Sequence, residues 1–209
     1  MSKPRIVVLI SGGGTNLQAI INACAGNNID AGAGNTLRAE VVCVVSNRRK
    51  AFGLQRAEKS GIETVYAPLK PALKRGLSRT GYDLDLAGTV ASYKPNLVVL
   101  AGWMHVLSAG FIDAFAGRLI NLHPALPGEI AGTNAIERAF TAFERGERQA
   151  SGVMVHHVIP EVDAGEAIAV RRVPFIVGDT LETFAERMHA AEHVLIVEAI
   201  ASCLQHEPV

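Results

Sequence analysis

Residues 5–10, Arg-Ile-Val-Val-Leu-Ile, are β-branched and nearly all apolar, the pattern of a strand covered on both faces. They run straight into glycines. Residues 16–25 then have helical composition and open beside Ser, Thr and Asn side chains able to cap free N–H groups. The same alternation continues. Residues 39–45 read as a strand, 51–60 as a helix, 62–66 as a strand and 82–93 as a helix. Residues 97–101 form another apolar strand, 108–116 a helix, 119–122 a short strand, and 134–145 a helix after a Pro/Gly loop. Residues 67–81, carrying Lys70, Lys74, Arg75 and Arg79, read as a loop. Strands alternating with helices predict a doubly wound α/β fold, a mostly parallel central sheet with helices on both faces.

The tail departs from that alternation. Residues 152–159 and 167–175 are strand-like, and the link between them is too short for a parallel crossover, so they are expected to pair antiparallel. Asp179 with Glu182 suggests a capping box. It would open a long amphipathic helix that places Leu181, Phe184, Met188, Leu195 and Val197 on one face.

Composition narrows the classes of function. With 209 residues, 49% of them hydrophobic, the chain can bury the core of a single domain, read as 1–209. Twenty basic and twenty acidic residues balance, so no global field favours a nucleic acid or an anionic membrane as partner. An anionic ligand has to be held locally. The apolar runs at 6–10 and 97–104 are too short for a bilayer span, and the first is followed by glycines rather than a cleavage pattern. Cys24, Cys43 and Cys203 lack CxxC spacing and are odd in number, which predicts buried thiols, a reducing compartment and a cytoplasmic protein.

Candidate chemistry lies at the ends of the expected strands. Ser11-Gly12-Gly13-Gly14-Thr15-Asn16 joins the first strand to the first helix, where backbone N–H groups and the helix dipole can hold a phosphate. Position 17 is Leu, not the third glycine of a dinucleotide fingerprint, and no Gly-Lys-Ser/Thr follows. A small phosphomonoester fits the loop; so does a tight structural turn. Asn121 and His123, two apart at a strand's carboxyl end, share one face, as an oxyanion donor beside a proton-transfer group would. They equally suit a capped strand end. Glu161-Val162-Asp163-Ala164-Gly165 is an ordinary turn sequence. If the fold brings it over that strand end, Asp163 could orient the imidazole and favour its charged form. Trp103 to Leu107 could line an apolar slot for a flat ring, or simply be core, and only one of His156 and His157 can face a given site. His189-Ala190-Ala191-Glu192-His193 has the H-x-x-E-H spacing of inverted zinc peptidases, with Glu198 and His206 as the available third ligands. A helix face pointing polar ends into a cleft explains the same spacing.

Five motifs in order carry a resemblance. Residues 7–20 (Val-Val-Leu-Ile-Ser-Gly-Gly-Gly-Thr-Asn-Leu-Gln-Ala-Ile), 101–104 (Ala-Gly-Trp-Met), 121–128 (Asn-Leu-His-Pro-Ala-Leu-Pro-Gly), 161–165 (Glu-Val-Asp-Ala-Gly) and 191–193 (Ala-Glu-His) resemble the monofunctional glycinamide ribonucleotide formyltransferases across nearly the whole chain. The resemblance implies a Rossmann-like formyltransferase fold, with a phosphate-binding half over about residues 1–100 and a folate-binding, catalytic half after it. It implies that Gly12, Gly13, Gly14, Thr15 and Asn16 meet the ribonucleotide phosphate, with Glu192 and His189 at the glycinamide end. The co-substrate it implies is 10-formyltetrahydrofolate, and no metal. Met104, His105, Val106, Leu107, Asn121, Ile159, Pro160, Glu161, Val162 and Asp163 would cradle this folate, with Arg79 on the folate side. Asn121 and His123 would stabilise the oxyanion, His123 would move the proton and Asp163 would orient it.

Departures from the family pattern are His105, where many bacterial relatives have an arginine; Leu-Pro-Gly-Glu-Ile-Ala at 126–131, closer to the fungal branch; and a longer spacing between His123 and Asp163. Other readings are a formyltransferase acting on methionyl-tRNA or a nucleotide sugar, a non-catalytic phosphate-ligand module, and a zinc hydrolase. A chain ending at Val209 with balanced charge is expected to lack the extra modules of the first group, to bind no nucleic acid or membrane, and to be a monomer or weak homodimer.

Overall fold

A computed structural model describes residues 2–26 and 36–205. Its strands are β1 (Arg5–Ile10), β2 (Glu40–Ser46), β3 (Glu63–Tyr66), β4 (Leu97–Leu100), β5 (Leu119–His123), β6 (Ala150–His157) and β7 (Ala167–Pro174). The helices are α1 (Thr15–Ala25), α2 (Phe52–Lys59), α3 (Leu69–Lys74), α4 (Arg79–Ser92), α5 (Ala109–Ala114), α6 (Ala135–Glu144) and α7 (Leu181–Gln205). The strands make one sheet in the order β3-β2-β1-β4-β5-β6-β7. Pairing is parallel from β3 through β5, while β6 runs antiparallel to both β5 and β7.

Period-two alternation along β1 divides the core. Ile6, Val8 and Ile10 face the layer of α1 and α7, whereas Val7 and Leu9 face that of α4 and α5. Covering both faces is what a continuous apolar strand requires. Strand order turns at β1, which lies between β2 and β4. The loops leaving β1 and β4 therefore diverge and leave a crevice at the carboxyl edge, where open α/β sheets bind ligands.

Four local expectations are corrected. Residues 67–81 are not wholly loop, since they contain α3 and the first residues of α4. Pro71 is the third residue of α3, where its missing N–H would have no helical partner. The capping box of α7 is made by Thr180 and Thr183, each backbone N–H donating to the other's hydroxyl, and not by Asp179 and Glu182. Asp179 instead accepts from Ile176 N and pairs with Arg187. Leu181 is exposed, while Phe184, Met188, Leu195 and Val197 are buried. The three cysteines are free, but only Cys43 is buried; Cys24 and Cys203 are half-buried. Burial still pushes the Cys24 and Cys43 thiols up to about 11. Among the described residues, no helix is long and apolar enough to cross a membrane.

Candidate active site

The crevice is a cleft of about 920 Å³. Its floor begins with the loop after β1. Gly14 takes a left-handed backbone (φ 72°) and its Cα lies against α2, so a Cβ there would meet Gly53 Cα at 2.6 Å. Only glycine fits both demands. Gly14 is also the N-cap of α1, where Ser, Thr or Asn was expected to cap the helix; no side chain does. The first-turn N–H groups are left for whatever occupies the cleft.

Asn16 projects from this turn and donates its Nδ2 to Glu192 Oε2 on α7 at 2.9 Å. Glu192 is buried, and desolvation raises its carboxyl; the Asn16 bond and the charges of His189 and His123 oppose that shift. His189 and Glu192 both line the cleft, whereas His193 does not. No group of three His, Cys, Asp or Glu side chains among the described residues is placed to hold a metal ion, and His206 lies outside them.

The cluster of Asn121, His123 and Asp163 sits at the end of β5. His123 is buried, with Nε2 2.7 Å from the carbonyl oxygen of Ile130. A carbonyl can only accept, so Nε2 carries the proton. Nδ1 then faces Asp163 Oδ2 at 3.5 Å, longer than an ordinary N–H···O bond. The imidazole is thus oriented by a backbone carbonyl, with the carboxylate beside Nδ1, where it would favour the charged ring if Nδ1 gained a proton. Asp163 also accepts from Gly132 N at 2.9 Å and from Asn121 Nδ2 at 3.2 Å. Burial alone would raise its carboxyl. The Gly132 N–H and the charge of His123 oppose burial, and the carboxyl lies below the usual value.

His156 is the functional candidate that spacing left undecided. It lies opposite Asn121 in the β5–β6 register and is buried, whereas His157 is half-buried. Its Nδ1 is 2.8 Å from the carbonyl oxygen of His157, so it donates there. Nε2 is left to accept from Asn121 Nδ2 at 3.1 Å. The Asp163 carboxylate fixes the Asn121 amide the same way round, because only NH2 can face it. Both Asn121 N–H bonds are therefore engaged before a substrate arrives. No local signal in the sequence could set this strand register.

Another wall is residues 102–107. Ser11 N donates to Gly102 O, and Met104 N to Ser11 Oγ. Leu107 is buried, while Met104 and Val106 are 50% and 62% exposed. His105 is wedged edge-on between Trp103 and Tyr82, with Nε2 2.9 Å from Asn47 Nδ2. Burial and the Arg79 charge lower its pKa. Ile159, Pro160, Glu161, Val162 and Asp163 complete the lining, and Arg48, not anticipated from the sequence, joins it from the end of β2. Arg79 is absent from the lining and reaches inward to Asp83.

Fold and cleft together define a Rossmann-like α/β enzyme with its site at the strand-order switch point. The chain belongs to the formyl transferase family, whose model matches residues 4–200. The phosphoribosylglycinamide formyltransferase of Schizosaccharomyces pombe is 46% identical over 201 residues, covering 93% of this chain and 94% of that protein. Its Escherichia coli counterpart is 40% identical over 190 residues, covering 91% and 82%. Among solved structures, the phosphoribosylglycinamide formyltransferase of Coxiella burnetii superposes with a TM-score of 0.82 at 40% identity, covering 95% of this chain and 86% of that one. Glycinamide ribonucleotide transformylase 1 of Symbiobacterium toebii gives 0.85 at 34% identity, covering 100% and 91%.

Proposed function

We propose that this protein transfers the formyl group of 10-formyltetrahydrofolate to the amine of glycinamide ribonucleotide, giving formylglycinamide ribonucleotide and tetrahydrofolate in de novo purine biosynthesis. One observation carries the reading: a single cleft is lined by the uncapped α1 turn, by Glu192, and by Asn121, His123 and Asp163. The named relatives support the same chemistry.

In this reading Gly12, Gly13, Gly14, Thr15 and Asn16 hold the phosphate, and Glu192 with His189 receives the glycinamide end. Met104 to Leu107 and the turn from Ile159 to Asp163 hold the folate ring. The amine nitrogen attacks the formyl carbon, and the carbonyl oxygen becomes an oxyanion. Because the Asn121 N–H groups point at His156 and Asp163 in the free protein, the oxyanion takes one of them over. The amine's proton passes by way of His123, beside Asp163, to folate N10 as the C–N10 bond breaks. These steps use side chains alone and call for no metal, and full activity after chelation is the expected outcome. We further infer a monomer or weak homodimer in the cytoplasm, without nucleic acid or membrane partners.

The test is to mix the protein with both substrates and follow folate deformylation by absorbance. Turnover that falls by about a hundredfold or more in His123→Ala is expected. No consumption of 10-formyltetrahydrofolate by the intact protein would overturn the reading.

A further inference from the structure

One short loop grips two members of the cluster at the end of β5. Ile130 offers its carbonyl to His123 Nε2 at 2.7 Å, and Gly132 donates its N–H to Asp163 Oδ2 at 2.9 Å. Glu129, Ile130 and Ala131 are absent from the cleft lining, so this segment acts on the imidazole from behind, away from any substrate. The backbone is left-handed at Gly128 (φ 75°) and at Gly132 (φ 83°), which leaves residues 129–131 as a short span between two bends. Little apolar burial holds that span: Ile130 packs partly against the core, and Ala131 is exposed. Polar ties therefore set where the Ile130 carbonyl stands.

The end of the span toward α6 is held by Arg138, which donates Nη1 to the carbonyl of Ala131 at 2.7 Å. The other end is held by an ion pair. Glu129, the residue before Ile130, accepts from Arg148 Nη1 through Oε2, and the two side chains are 30% and 25% exposed. An ion pair enclosed to that degree is less screened than one in open solvent. Arg148 lies two residues before β6, the strand that also carries His156, so the pair ties the loop to the sheet itself. Glu129 falls within Leu-Pro-Gly-Glu-Ile-Ala at 126–131, the stretch that departs from the family pattern, so this tie belongs to the loop as this chain builds it.

We propose that Glu129 and Arg148 are positioning residues that set the tautomer of His123. Their ion pair holds the Ile130 carbonyl against Nε2, which keeps that nitrogen protonated and leaves the ring's lone pair on Nδ1, beside Asp163. With the carbonyl displaced, the proton is drawn to Nδ1, where the Asp163 carboxylate stands 3.5 Å away. The lone pair then points at the loop and takes no proton from a substrate amine. The inference rests on the reading that His123 moves the amine's proton.

The experiment compares Glu129→Gln, Arg148→Gln and the double variant with the intact protein. Each single variant should lower kcat about tenfold, with the KM for 10-formyltetrahydrofolate and for glycinamide ribonucleotide within about twofold. The double variant should lose no more than either single one, because both break the same contact. Losses that multiply, or an unchanged kcat, would overturn the role of the pair. Both side chains are partly exposed, so the variants should fold. Long-range proton–nitrogen spectra of the His123 ring, recorded where it is neutral, give a reading that needs no turnover. The intact protein should show the Nε2–H tautomer, and Glu129→Gln a mixture with Nδ1–H. The same single tautomer in Glu129→Gln as in the intact protein contradicts the proposal. An intact protein inactive with both substrates would defeat the functional reading, and the ring spectra would still decide whether the pair sets the tautomer.

Discussion

Asp163 adopts a left-handed backbone (φ 54°), a conformation that Asp and Asn tolerate and most other side chains resist. This decides which variant isolates its chemistry. Asp163→Asn keeps the backbone and should lower kcat by about a hundredfold or more with a native-like melting profile. Asp163→Ala should lose about 1 kcal/mol of stability as well. The carboxyl is held below its ordinary value of 3.8 in the fold, so it contributes stability above that value, lost as the pH falls through the folded value. Asp163→Asn should therefore narrow the stability difference between acid and neutral pH, and an unchanged difference would show that the carboxylate is not so engaged. Glu192 has the opposite sign. Burial raises its carboxyl above 4.5, so native protein loses stability as pH rises through the window between the unfolded and folded values, and stays lower beyond it. Glu192→Gln should melt higher at neutral pH while raising the KM for glycinamide ribonucleotide by about tenfold. A variant that melts no higher and binds normally would contradict both halves.

At the scale of elements, the acidic turn reaches the strand end only because its backbone lies flat on β6. His157 N donates to Glu166 O at 2.9 Å, and a Cβ on Gly165 would come within 1.7 Å of His157 O. No side-chain adjustment relieves a clash with backbone. Gly165→Ala should therefore push the turn off β6, at a cost of about 3 kcal/mol, and carry Asp163 away from Asn121 and His123. Thermal unfolding and kcat measured together check this. Wild-type values for both would mean that the turn does not need this close contact. The strands and longer helices were legible because a buried strand must be continuously apolar and a packed helix must repeat its apolar face. The six residues of α3 were not, because one buried residue, Ala72, and a proline make no period. Nor was the burial of Asp83, since Arg79 and Asp83 read in the sequence like any exposed i, i+4 pair.

For the whole molecule, the cleft joins the two ends of the chain: Asn16 on α1 meets Glu192 on α7, 176 residues later. A ligand that fills it contacts the β1 loop, the β4 loop, the β5 end and α7 at once. Each substrate alone should stabilise the folded state, by about 2.7 kcal/mol at a hundredfold excess over its Kd. Thermal shift measured with glycinamide ribonucleotide in the absence of folate checks this, and no shift would mean that the cleft does not hold it.

The sequence by itself determined the doubly wound α/β class, the antiparallel tail and the glycine loop, because these depend on local periodicity and on backbone freedom. It also placed Asn121 and His123 on one face, since a strand's period is fixed. Tertiary structure alone decided that Asp163 stands 3.5 Å from His123, that Ile130 O orients the imidazole, and that His156 engages Asn121. Those contacts depend on strand register and loop approach, which come from packing the whole sheet. No run of neighbouring residues encodes them.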